Sequence, residues 1–174
     1  LMKFKLIKII LVFFLLFTKQ SYSENQILIL DLDYVLNNSL AGKSIITQIE
    51  SKQKQLIDQY KKKEDQLKSE EVQLVSQKNI LDENEFKKKA EAFKSKVDKF
   101  NSEKANSFND LKKKQLKAQS TLSEKIIKIV GKYASGKSAP IILHKQSIII
   151  GKTEFEITQD ITDLLNEELK NLKF

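Results

Sequence analysis

The sequence contains no cysteine, no arginine and no tryptophan, and it has one proline and four glycines in 174 residues. Without cysteine there is neither a disulfide framework nor a thiolate metal site, so packing alone must hold the fold together. Arginine is the residue best suited to reading bases and gripping phosphates with two hydrogen bonds, so its absence argues against specific nucleic-acid recognition. Lysine still gives a formal charge of +8, which leaves nonspecific attraction to polyanions open.

Glycine and proline are absent from Lys43 to Val130, a run of 88 residues rich in Lys, Glu, Gln, Ala and Leu. This composition predicts long helix. The flanking segments are β-branched and apolar, and we predict strands at Ile27–Leu32, in "PIIL" and in "SIII". This order of segments predicts an α+β fold in which a long helical segment leaves a small sheet and returns to it.

The helical run divides in two. Asp82 followed by Glu85 forms a capping box just before a new apolar period, so the chain is predicted to turn near residues 79–84. The resulting domain prediction is a helical hairpin arm over 43–134. A β-rich body with a C-terminal helix takes residues 24–42 and 135–174.

Apolar residues in both helices follow coiled-coil spacing. The second helix offers Phe86, Ala90, Phe93, Val97 and Phe100 at a 4-3-4-3 spacing, and the first offers Ile46, Ile49, Leu56, Tyr60, Leu67 and Leu74. Polar residues interrupt the seam of the first helix at Gln53, Lys63, Glu70 and Gln77. The distal half of the arm is therefore predicted to be thinly packed.

The first 23 residues are predicted to be a secretory signal peptide. Lys3, Lys5 and Lys8 form a basic region, Ile9–Phe17 is an uninterrupted apolar run, and Ser21–Ser23 fits a small-x-small cleavage site before Glu24. Removing this segment takes away four lysines and no acids, so the formal charge falls from +8 to +4.

The predicted body is small enough to be marginally stable alone, and its short apolar strands have edges that invite pairing. We therefore expect a symmetric oligomer. The candidate oligomerisation residues are Ile27, Ile29, Ile141, Ile142, Ile148 and Ile149.

An apolar strand followed by Asp31-x-Asp33 also resembles the nucleophile motif of haloacid-dehalogenase-like phosphatases. That chemistry needs a downstream Ser/Thr, a lysine and an acidic metal pair, brought together by several βα units. A helical hairpin follows the motif here, so we expect both aspartates to accept hydrogen bonds where the strand ends. No enzyme activity, cofactor, catalytic residue or metal site is predicted, and His144, the single histidine, is read as an ordinary strand residue.

Two segments carry a family resemblance. "VLNNSLAGKSIITQIE" (Val35–Glu50) resembles the junction of first strand and first long helix in the Skp/OmpH family of periplasmic chaperones. "EITQDITDLLN" (Glu156–Asn166) is similar to the family's closing pattern, although Gln159 stands where the family usually has a second acid. The order of parts agrees along the whole mature chain.

The resemblance implies a homotrimer with a β-rich body and three helical arms around a cavity. It implies an ATP-independent periplasmic holdase for unfolded outer-membrane β-barrel proteins. The candidate cargo-binding residues are Phe86, Phe93, Phe100, Lys61, Lys62, Lys87, Lys88 and Lys89. The alternative is that these phenylalanines pack wholly in the seam and these lysines form a solvated face.

Two other function classes stay open. A structural spacer or adaptor of the cell envelope would use the same hairpin to hold two partners apart. A polyanion-binding protein would use the lysine-rich arms to attract an anionic membrane surface or lipopolysaccharide, with affinity that falls steeply as salt is added.

Overall fold

The structure, a computed structural model, describes residues 27–137 and 139–173. The signal peptide predicted for residues 1–23 lies outside these residues. The described elements are strand β1 Ile27–Leu30, helices α1 Leu32–Asn38, α2 Leu40–Ser76 and α3 Glu83–Gly136, strand β2 Ile141–His144, and helix α4 Thr158–Glu168. Long helices with a two-stranded sheet confirm the predicted α+β class.

The sheet consists of β1 and β2 in parallel, with Ile27 opposite Ile141 and Leu30 opposite His144. The strands can run parallel because α3, with 54 residues against 37 in α2, continues past the body core and brings the chain to the Ile27 end of β1, where β2 begins. On the other edge of β1, the backbone N–H of Ile157 donates to the carbonyl of Ile29 at 2.9 Å. The sheet therefore ties the start of α4 to both ends of the helical hairpin.

Strand β1 is shorter than predicted, because a short helix begins where the sequence suggested that the strand continues. The Asp31 carboxylate accepts a hydrogen bond from the backbone N–H of Tyr34 at 2.9 Å and so caps α1. The hydroxyl of Thr158 accepts from the backbone N–H of Asp31 at 2.9 Å. Helix α1 then buries Val35 completely.

Ser39 joins α1 to α2. Its backbone N–H donates to the carbonyl of Val35 at 3.1 Å, and its hydroxyl accepts from the backbone N–H of Gly42 at 3.1 Å. With this cap in place α2 starts at Leu40, before the Lys43 start that composition suggested. Ser39 is fully buried, so the corner between the two helices belongs to the interior of the body.

The body core is built from every element around the sheet. Leu28 and Leu30 of β1 pack with the base of α2, a long stretch of α3, and α4. The buried members of this cluster are Leu28, Leu30, Val35, Ala41, Ile45, Ala118, Leu122, Ile126, Ile129, Ile157, Ile161 and Leu165. The bases of both long helices are thus as much part of the body as the strands.

Two sequence predictions in this region are wrong. The expected strand in "SIII" is not formed, because the chain closes a 3₁₀ turn at Lys145–Ser147, in which the N–H of Ile148 donates to the carbonyl of Lys145 at 3.1 Å. A strand needs a neighbouring strand, and the described part of this single chain places none there. Ile46, expected in the seam, is 38% exposed, because α2 leaves the body with Ile45 facing inward.

Candidate functional site

The arm is well packed in one layer midway along its length. Leu56 and Tyr60 of α2 and Leu111 of α3 are buried there, with Phe100 and Phe108 packed against them. The Tyr60 ring meets the edge of Phe100 at 5.9 Å between centroids, and its hydroxyl donates to the carbonyl of Glu103 at 3.0 Å. This layer packs the two helices directly against each other.

Between this layer and the tip, no apolar side chain of the described arm is buried. The two helices instead line an open, solvent-accessible cavity of about 570 Å³, called here the arm cavity. Its apolar floor consists of Leu67, Phe93, Val97 and Phe100, and its polar rim of Glu64, Lys68, Glu71, Lys94, Asn101 and Lys104. The four floor residues are half-buried. This is the thin packing of the distal arm that the interrupted seam predicted.

Ion pairs bridge the helices beside the cavity. Lys63 pairs with Glu103 at 3.0 Å, Glu70 with Lys96 at 2.6 Å, and Glu64 reaches Lys104 at 3.8 Å. All are solvent-accessible, so each contributes little to stability. The three pairs show which residues of α2 and α3 lie level with one another.

Neighbouring lysines lower the pKa of two glutamate carboxyl groups. A hydrogen bond from Lys68, with the charges of Lys68 and Lys104, lowers the pKa of Glu64. A hydrogen bond from Lys63 and its charge lower the pKa of Glu103. Both carboxylates therefore stay ionised at neutral pH, and the cavity rim carries charges of both signs.

The predicted phenylalanines differ in their positions. Phe93 and Phe100 line the arm cavity, whereas Phe86 lies nearer the tip and is outside its lining. All three are half-buried. Their rings thus contribute to the seam and still leave surface open to solvent.

The structure does not bring the predicted lysines together. Lys61 and Lys62 lie level with Glu103, whereas Lys87–Lys89 lie at the tip, where the Lys89 amine donates to the Gln77 side chain at 2.8 Å. The two groups are about 24 Å apart along the arm, at ~1.5 Å per helical residue. All five lysines are exposed.

The arm ends in a turn over residues 77–82. The Asp82 carboxylate accepts from the backbone N–H of Glu85 at 2.9 Å, which confirms the predicted cap at the start of α3. Near this turn Val72, Val75 and Ile80 are strongly exposed, Ile80 by 79%. Sequence reasoning missed this apolar group, although an isoleucine inside the break "QKNILDENEF" is a signal that could have found it.

The predicted oligomerisation residues fall into three environments. Ile27 and Ile141, the first pair of the sheet, are about half exposed, and Ile149 is 99% exposed. Ile142 and Ile148 are half-buried, and Ile29 is buried. Ile29 is covered by Gly151 of the same chain. A Cβ added to Gly151 would lie only 2.8 Å from Ile29 Cδ1. Ile150, which sequence reasoning missed, is 91% exposed.

Both aspartates of the Asp-x-Asp motif accept hydrogen bonds, as predicted. Asp31 caps α1, and Asp33 accepts a hydrogen bond from the Gln146 side chain at 2.7 Å. His144 ends β2, and its Nδ1 accepts from the backbone N–H of Gln146 at 3.2 Å. Among the described residues, no group of three or more metal-binding side chains comes together.

A helical hairpin on a small β body is the architectural class that these elements define. The family model "Outer membrane protein (OmpH-like)" matches residues 26–165, and the chain belongs to this family. No curated protein sequence matches the chain. Within residues 27–137 and 139–173, no helix has the length and apolar character needed to cross a membrane.

The fold is shared with a solved structure at low sequence identity. A crystal structure at 2.83 Å of a Caulobacter crescentus chain, described as an OmpH-like outer membrane chaperone, superposes with a TM-score of 0.81. The two sequences are 14% identical, and the match covers 87% of this chain and 90% of that one. OmpH-like outer membrane chaperones are periplasmic, and family membership supports a periplasmic chaperone role here.

Proposed function

We propose that this protein is an ATP-independent holdase that binds unfolded outer-membrane β-barrel proteins between helical arms and prevents their aggregation. The single observation that carries the proposal is the distal arm, where apolar side chains lie half-buried around an open cavity instead of closing a seam. Such surfaces give contacts that are individually weak, and several of them together hold an unfolded chain firmly. The predicted domain division fits this proposal, because the arm would bind client proteins and the body would form the oligomer.

Assembly as a homotrimer is part of the proposal. Ile149 and Ile150 are almost fully exposed, and Ile27 and Ile141, which pair in the same small body, are about half exposed. Isoleucines exposed to this extent in a small body are typical of a surface that another subunit covers. In an oligomer, a neighbouring subunit would cover these exposed isoleucines.

The lysines of the arm fit the same role. Lys61, Lys62 and Lys87–Lys89 are exposed and would attract acidic segments of a client protein, or an anionic membrane surface or lipopolysaccharide. Export through a cleaved signal peptide would place the protein in the periplasm, where such clients pass.

A spacer or adaptor of the cell envelope is the second candidate, and one observation favours it. Val72, Val75 and Ile80 form an exposed apolar group at the tip, about as far from the body as the arm reaches. A spacer would use this tip to contact one defined partner. The two candidates therefore differ in where binding occurs and in how many partners bind.

The deciding experiment is the mass of the mature chain in solution by light scattering, with and without a urea-unfolded outer-membrane β-barrel protein. The holdase proposal expects a trimer that takes the barrel protein into one discrete soluble complex and suppresses its aggregation at moderate salt. A chain that leaves the barrel protein aggregating at its unassisted rate would refute the holdase and favour the spacer. Loss of the complex on raising salt alone would favour a polyanion-binding surface.

A further inference from the structure

We propose that the arm cavity is a binding site for single aromatic side chains of unfolded β-barrel strands. This inference rests on the proposed holdase function and names the part of the client that the arm recognises. The cavity measures about 570 Å³, within the roughly 300–1,000 Å³ range of sites that bind small ligands. It therefore has room for a large aromatic ring.

The floor of the cavity has the chemistry that such a ring requires. Phe93 and Phe100 present aromatic surface from α3, and Leu67 and Val97 supply aliphatic surface from the two facing helices. All four are half-buried, so a bound side chain would cover apolar area that now contacts water. Aromatic pairs prefer offset or edge-to-face arrangements, as the Tyr60 and Phe100 rings already show at 66° between their planes.

The charges of the rim argue for an apolar occupant instead of an anion. The rim holds three lysines and two glutamates, and Glu64 already pairs with Lys68 at 3.2 Å and with Lys104 at 3.8 Å. A site for a polyanion would present one sign of charge, whereas this mixed rim suits polar groups of either sign around an apolar centre.

Unfolded barrel proteins carry the matching pattern. Their strands alternate apolar and polar residues and place aromatic residues in girdles near both strand ends. In an extended segment successive side chains point to opposite sides, so one ring can enter the cavity while its neighbours face water or the charged rim. The cavity would thus select barrel segments by their aromatic residues without reading a particular sequence.

Filling the cavity tests the inference. In Val97→Trp and Leu67→Trp the new indole occupies the space from α3 and from α2 respectively. Affinity for a fluorescently labelled, urea-unfolded barrel protein is expected to fall about tenfold, the loss that corresponds to one buried aromatic side chain. Ser95→Trp is the matched control, because Ser95 is exposed on the opposite face of α3 and should leave affinity unchanged.

The possible results separate the two proposals. If the wild-type chain does not bind the barrel protein, the holdase function itself is refuted. If the wild type binds and both filled variants bind equally well, or if Ser95→Trp weakens binding to the same degree, the cavity inference is refuted.

A second experiment covers the case in which both filled variants lose helicity by circular dichroism. The chain has no cysteine, so a thiol-linked photo-crosslinker can be placed at one site, Asn101→Cys on the rim or Ser95→Cys on the far face. Crosslinking to aromatic residues of the client from Asn101→Cys alone is expected. Equal yields from the two sites would overturn the assignment.

Discussion

Replacing Gly42 by alanine should destabilise the body, although alanine is the better helix former. Gly42 lies in the first turn of α2, where that helix crosses α1. A Cβ on Gly42 would lie 1.8 Å from the carbonyl oxygen of Leu36 and 2.8 Å from its carbonyl carbon, against about 3.0 Å as the closest approach that real Cβ atoms show. Both atoms are backbone, so α1 must move by more than about 1 Å or the corner must open.

The magnitude follows from two opposing effects. Alanine gains about 1 kcal/mol over glycine in a helix interior. Overpacking a tightly packed site costs about 1–3 kcal/mol and occasionally more, and here the shift also disturbs the Ser39 cap and the fully buried Val35. Because the Leu36 atoms in the clash are backbone and cannot rotate away, we expect the upper end of this cost, which leaves a net loss of about 2 kcal/mol. That corresponds to a fall in Tm of roughly 4–8 °C for a chain of this size.

The assay is thermal unfolding followed by circular dichroism at 222 nm, with denaturant unfolding as a second measure. Gly131→Ala is the matched control: it is also a glycine in a long helix, and an added Cβ there meets nothing within 4 Å. The control should be neutral or more stable by up to about 1 kcal/mol. If Gly42→Ala proved as stable as Gly131→Ala, the close approach of α1 to α2 would not exist as described.

Two further perturbations address the core and the ionisation of a tyrosine. Leu122 is 1% exposed, so Leu122→Ala should lower the free energy of unfolding by about 2–5 kcal/mol, measured by denaturant unfolding. The control Leu116→Ala, at a half-exposed site of the same helix, should change that free energy by less than about 0.5 kcal/mol. The hydrogen bond from Tyr133 to Asp160, aided by burial, raises the pKa of Tyr133 to about 12 from its ordinary 10.0. Since this favours the neutral phenol, the stabilisation is complete below pH 10 and is lost as pH rises toward 12. Absorbance titration should show a late-titrating tyrosine that Tyr133→Phe removes, and its absence from the wild-type chain would contradict the contact.

Much of the arm could be predicted from spacing. The 4-3 repeat of Phe93, Val97 and Phe100 and the polar seam positions Lys63 and Glu70 predict which side of each helix faces the other and where packing is thin. They could not predict the cavity, because its floor also needs Leu67 of α2 level with Val97 and Phe100 of α3. That pairing depends on how α2 and α3 align, which the contacts of Lys63 with Glu103 and Glu70 with Lys96 reveal.

By itself the sequence determined the α+β class, the break between two long helices, the cap at Asp82 and the hydrogen-bonding role of Asp31. These features depend on residues within a few positions of one another, so they can be predicted from the amino-acid sequence. Tertiary structure alone decided that Ile45 and not Ile46 faces the core, that Gly42 lies against the Leu36 carbonyl, and that Ile149 is exposed. Each of these depends on how two elements pack against each other, and no local sequence pattern gives the distance between them.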